Sequence, residues 1–136
     1  MTGTSLVFVE CALGIVAVDL DGEAVVGFAS DARLERPALE LALPLVLDAD
    51  VHGSTVVAVV DRRPPLIVSS DGGGSWREAG GGLPPGRAVA ISPQHPDRIL
   101  FATAERLYLS EDGGRFWRAL APELIDVTRV AWDAGE

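Results

Sequence analysis

Ser69-Ser70-Asp71-Gly72-Gly73-Gly74-Ser75-Trp76 returns as Ser110-Glu111-Asp112-Gly113-Gly114-Arg115-Phe116-Trp117, starting 41 residues further on (69 to 110). Both copies read Ser-x-Asp-x-Gly-x-x-Trp, and a fixed period in the twenties to fifties is the mark of a repeat architecture. Each copy is a tight hairpin that carries its own fastening. Asp71 and Asp112 accept hydrogen bonds from nearby backbone N–H groups, with Ser69 and Ser110 adding weaker ones. Gly73 and Gly114 supply the positive φ that such a turn needs. Trp76 and Trp117 open the outgoing strand and fold an apolar ring back over the turn.

These residues resemble the Asp-box, or BNR repeat, found in sialidases, sortilin-type receptors and photosystem assembly factors. The resemblance implies a β-propeller in which the box joins the third and fourth strands of a four-stranded blade. It also implies that the box braces the fold and takes no part in an active site.

Working outward from the two boxes, the period carries Leu66-Ile67-Val68 onto Leu107-Tyr108-Leu109 and Arg87-Ala88-Val89-Ala90-Ile91-Ser92 onto Thr128-Arg129-Val130-Ala131-Trp132-Asp133. Short apolar runs bounded by Gly, Pro, Asp and Ser read as strands: Ser5 to Glu10, Gly14 to Val18, Glu23 to Phe28, Leu41 to Asp48, Ser54 to Asp61, Leu66 to Ser70, Trp76 to Ala79, Arg87 to Ser92, Arg98 to Thr103, Arg106 to Ser110, Trp117 to Leu120 and Thr128 to Asp133. Between the second and third runs, Asp19, Asp21 and Gly22 form a degenerate third copy, in which Glu23 replaces the second Gly and Val26 replaces Trp. Residues 30–40 read as a connecting loop with a helical turn at Ala32 to Glu35, broken by Pro37.

The expected fold is therefore all-β. It consists of three four-stranded blades in one unit spanning 1–136, with the first blade at 5–29 plus the terminal strand 127–133, the second at 41–79 and the third at 87–120. Propellers close with about 4–8 blades, so two chains are expected to form one six-bladed ring. In that ring the last strand of each chain, with Thr128, Val130 and Trp132 at the interface, adds to the first blade of a partner.

Composition narrows the function. The hydrophobic fraction of 48% excludes disorder, and 15 Gly with 9 Pro suit many short strands and turns. The formal net charge is −9 and all 11 basic residues are scattered Arg, which argues against nucleic acid and anionic membrane surfaces as partners. Cys11 stands alone, so no intrachain disulfide forms. No run reaches the ~18 apolar residues of a membrane-spanning helix. The opening residues lack a basic start and include Glu10, which sets a cytoplasmic expectation.

Residues of types that carry chemistry have structural readings. Asp48, Asp50 and His52 alternate and would share one side of an extended segment, but they read as a solvated loop between the inner two strands of a blade. His95 lies between two prolines in the equivalent loop. No metal or cofactor is expected. The alternative reading is a sialidase-like glycoside hydrolase whose site is assembled between chains. Its Arg-Ile-Pro signature has only the echo Arg98-Ile99-Leu100, and Tyr108, the sole tyrosine, aligns with Ile67 as a packing residue. The favoured expectation is a non-catalytic binding or assembly scaffold for a protein or glycan, with a purely structural ring former as the third option.

Overall fold

The computed structural model describes residues 6–28 and 46–133. Twelve strands follow one another: β1 (Leu6–Cys11), β2 (Gly14–Asp19), β3 (Ala24–Phe28), β4 (Val46–His52), β5 (Thr55–Val60), β6 (Leu66–Ser69), β7 (Arg77–Ala79), β8 (Ala88–Ile91), β9 (Ile99–Ala102), β10 (Arg106–Ser110), β11 (Arg118–Glu123) and β12 (Arg129–Trp132). They form three four-stranded antiparallel sheets in the orders β12-β1-β2-β3, β4-β5-β6-β7 and β8-β9-β10-β11. The result is all-β and propeller-like. Among the described residues there is no helix long and apolar enough to cross a membrane.

Alternation along the strands decides which face each sheet buries. Val7, Val9 and Cys11 of β1 and Val16 and Val18 of β2 point one way, and β12 adds Val130. They pack on Ala88, Ala90, Leu100, Ala102, Leu107 and Leu109 of the third sheet. The opposite face of the third sheet presents Val89, Ile91, Ile99 and Phe101 to Val57, Val59, Leu66 and Val68 of the second. Each fully buried Val or Leu contributes about 1.5–3 kcal/mol over its exposed state, so these two interfaces dominate stability. The inner strands lie side by side as β4, β8, β12, while β4 and β12 do not touch. The three sheets therefore make an open arc, with the second sheet at one end and the first at the other.

Three elements depart from the expected placement. First, within the single chain β12 completes the first sheet. Its residues pair with β1 of the same chain, Val7 opposite Trp132 and Val9 opposite Val130, and the Trp132 indole N–H donates to the Ala90 carbonyl at 3.0 Å. Thr128 is tied to Glu10 through its amide at 2.8 Å and its hydroxyl at 2.9 Å. The loop from Leu124 to Thr128 is short enough to bring β12 directly onto the sheet that precedes it in space. Second, Asp48 and Asp50 sit within β4 rather than in a loop, because β4 runs to His52. Its expected start at Leu41, like the helical turn at Ala32 to Glu35, lies outside the described residues. Third, β11 runs on to Glu123 through Pro122, tolerated because this is an edge strand whose outer N–H positions need no partner.

Candidate functional site

The antiparallel meander sorts connections to two opposite faces of the arc. On one face lie the repeated turns. The Ser69 hydroxyl donates to Asp71 Oδ1 at 2.7 Å and accepts from the Gly73 amide at 2.8 Å. Asp71 Oδ1 also accepts from the Ser75 amide, and Oδ2 from the Ser75 hydroxyl, both at 2.8 Å. The second copy repeats the scheme. Ser110 donates to Asp112 at 2.8 Å and accepts from Gly114 N–H at 2.8 Å, while Asp112 accepts from the amides of Arg115 and Phe116. Gly73 and Gly114 have φ of 100° and 95°, and a Cβ at either position would meet the Trp76 or Trp117 ring at 3.6 Å. The Ser69 hydroxyl and the Ser75 donors hold the Asp71 carboxyl down at about 2. The Phe116 amide and the Ser110 hydroxyl lower that of Asp112. The motif Ser and Asp side chains of both turns are thus taken up by internal hydrogen bonds.

The degenerate turn keeps one of these bonds, from the Asp21 amide to Asp19 Oδ1 at 3.0 Å. A Cβ at Gly22 would come within 3.0 Å of the Asp19 carboxylate. Glu23 occupies the position of the second Gly and takes φ of 50° there. Its carboxylate reaches the third sheet, where it pairs with Arg118 at 2.6 Å and accepts from the Ala121 amide at 2.9 Å. By the repeat, Glu23 is a lost glycine; in the fold it is a clasp between sheets. Val26, which stands for the tryptophan, is exposed.

Asp48 and Asp50 also bridge sheets. Their Oδ2 atoms accept from the amides of Val89 at 3.0 Å and Ile91 at 2.7 Å, both on β8. Among the described residues no group of three acidic, His or Cys side chains is placed to hold a metal. A cleft on the turn face is lined by Asp21, His95, Asp97, Arg98 and Glu111. The Arg98 guanidinium lies 5.3 Å from the centre of the Trp132 ring.

The opposite, loop face holds a groove of about 700 Å³ between the β7–β8 loop and the ends of β9, β10 and β11. Pro84, Pro85 and Leu124 form apolar walls, the half-buried Tyr108 ring joins them, and Glu105 and Glu123 stand at the mouth. Tyr108 leans on Phe101, ring centres 6.0 Å apart. The rim is rigidly held, since Leu124 and Val127 donate to the carbonyls of Glu105 and Ala104, and Ile125 accepts from the Ala12 amide, each at 2.8 Å. The Arg87 guanidinium donates to the Asp126 carboxylate at 3.2 Å, and Asp126 takes a positive φ of 56°. These bonds keep Ile125 61% exposed at the rim, with Leu13, 64% exposed, on the adjoining β1–β2 turn. Sequence reading did not single out this groove; the signal available was Pro84-Pro85 facing a lone tyrosine.

Compared with known proteins, the chain matches no family model and no curated protein.

Proposed function

We propose that this chain is a propeller scaffold of the Asp-box type that binds or assembles a protein or glycan partner through its loop face, without catalysing a reaction. The observation that carries this reading is the division of labour between the two faces of the arc. On the turn face, Ser69, Asp71, Ser110 and Asp112 are committed to internal hydrogen bonds, which suits bracing. On the loop face, a groove with apolar walls and a rigid rim leaves Ile125 and Leu13 exposed to solvent, and rigidly presented loops are where scaffolds carry recognition. A hydrolase reading would need its arginine and tyrosine to converge. Arg98 lines the turn-face cleft, whereas Tyr108 lines the loop-face groove.

The reading is tested by a glycan array and an aryl-glycoside turnover assay run beside affinity capture, using the parent chain, Ile125→Asp and Glu105→Arg. The expected result is no turnover, together with a bound partner or glycan that both variants release. Turnover lost in Arg98→Ala or Tyr108→Phe would overturn it in favour of an enzyme, as would a partner indifferent to both loop-face changes.

A further inference from the structure

Few of the hydrogen-bonding groups around the loop-face groove are left for a ligand. The Thr103 hydroxyl accepts from the amides of Glu105 and Arg106 at 3.2 and 3.1 Å. The amides of Leu124 and Val127 and the carbonyls of Ala104, Glu105 and Ile125 are taken by bonds within the rim and to Ala12. One oxygen of Glu123 accepts from the Arg106 guanidinium at 3.1 Å, and that guanidinium also donates to the Leu120 carbonyl at 3.2 Å. What stays open is the hydroxyl of Tyr108, the second oxygen of Glu123 and the carboxylate of Glu105, which is exposed and joins no ion pair among the described residues.

The charges sort in the same way. In the groove lining, Glu105 and Glu123 stand against Arg106, and at the rim Asp126 is paired with Arg87, so the uncompensated charge is the Glu105 carboxylate. Beyond Pro84 and Pro85, which border both spaces, a second hollow of about 610 Å³ has Arg63 as its charged residue. The two prolines are thus a ridge that divides the loop face into an acidic side and a basic side.

We propose that the acidic groove takes an arginine side chain from an extended segment of a partner protein, with an apolar residue two positions along that segment resting on Ile125 and Leu13. The proposal rests on the reading of the loop face as the recognition surface and names what that surface holds. An arginine lays its methylene stem on apolar surface and keeps its head at the wet mouth; here the walls are Pro84, Pro85 and Leu124. The planar guanidinium pairs with a carboxylate and packs on an aromatic ring, and the groove offers Glu105 and the half-buried Tyr108. Residues two apart in an extended segment face the same way, about 6.6 Å from each other. Ile125 is part of the groove wall and Leu13 adjoins it, since the Ala12 amide bonds to the Ile125 carbonyl. The net charge of −9 draws a cationic partner in from a distance, while Arg63 across the ridge repels a further cation, which selects one arginine over a basic run. A sugar is the poorer match, because it asks for many hydrogen-bonding partners and those of the rim are occupied.

The test is fluorescence anisotropy of the full chain with short labelled peptides, otherwise glycine and serine, in which one arginine stands two positions before a leucine, at low and high NaCl. The expected result is binding that salt weakens and that falls about tenfold in Glu105→Gln, where a hydrogen bond to a charged group is lost. Replacing the peptide's arginine by citrulline, which keeps the shape without the charge, should weaken binding to the parent by a similar factor and add little further loss in Glu105→Gln, as two partners in one contact do. The citrulline peptide needs no variant, so it decides if Glu105→Gln fails to fold. Asp97→Asn makes the same change in net charge on the turn face and should leave binding within about twofold. Equal affinity for the arginine and citrulline peptides overturns the proposal, as does an equal loss in Asp97→Asn and Glu105→Gln. If no peptide binds while Ile125→Asp still releases a captured partner or glycan, the arginine assignment falls and the loop-face reading stands; if that partner is also indifferent to Ile125→Asp, both fall.

Discussion

Asp71 lies at the surface, yet three donors hold its carboxyl at about 2. A carboxylate whose folded value lies below its ordinary 3.8 adds stability that is present above that ordinary value and is lost as pH falls toward the folded one. Stability should therefore fall between about pH 4 and pH 2. Asp71→Asn keeps an acceptor for Ser69 and Ser75 but has no charge to titrate, so its urea midpoint should vary less over that window than the parent's; equal slopes would reject the role given to Asp71. Gly86 makes a steric demand instead. A Cβ placed there would come within 2.3 Å of the Phe101 ring, and that ring is fully buried and braced by Trp117 at 5.9 Å. Overpacking of this kind costs about 1–3 kcal/mol. Gly86→Ala should lower the unfolding free energy measured by urea denaturation by that amount, whereas Gly81→Ala, where nothing lies within 4 Å, should cost much less.

At the scale of elements, the sheets are joined by carboxylates as well as by apolar faces. Asp48 and Asp50 give β8 two acceptors for amides on its inner edge, and Glu23 ties the turn before β3 to β11. The Glu23 pair is partly exposed, so the ion pair itself is worth little, about 0–1 kcal/mol; the charged hydrogen bond to Ala121 adds to it. Glu23→Ala should cost about 1–2 kcal/mol and should speed hydrogen exchange in β3 more than in β7. Glu23→Gly should cost less than Glu23→Ala, because it relieves the positive φ while losing the same contacts. Equal effects of the two substitutions would mean that the backbone conformation of the turn does not matter.

For the whole molecule, β12 is the element that decides whether one chain is a folding unit. It buries Val130, lays Trp132 against the third sheet and completes the ladder of β1. A chain ending at Ile125 loses both side chains, a deficit of about 3–6 kcal/mol, against total stabilities of about 5–15 kcal/mol for a domain. It should show a broad, lowered thermal transition, with the largest loss of protection in β1. With β12 paired to β1 of its own chain, the full chain should remain folded as a monomer at nanomolar concentration. A full chain that unfolds on dilution would instead indicate strand exchange between copies.

The sequence by itself determined what is settled within a few residues. The Ser-x-Asp-x-Gly-x-x-Trp turns close through hydrogen bonds spanning two to four positions, so their chemistry was readable from residue types and spacing alone. Alternation placed most strands to within one or two residues, because side chains on a strand switch faces at every step. Where the reading went astray, a partner far along the chain was in control. Asp48 and Asp50 read as a loop because their acceptor role depends on amides 41 positions away. Glu23 read as a worn glycine because its clasp is made 95 and 98 positions away. The groove beneath Pro84 and Pro85 has no local signature at all, since it exists only where three strand ends meet a loop. Only the tertiary structure lays the last strand on the first sheet of the same chain. The same row of residues on β12 can complete the first sheet of its own chain or of another, and periodicity is identical in both. The distance that the connecting loop must span, and the faces left uncovered once it has done so, are properties of the assembled sheets.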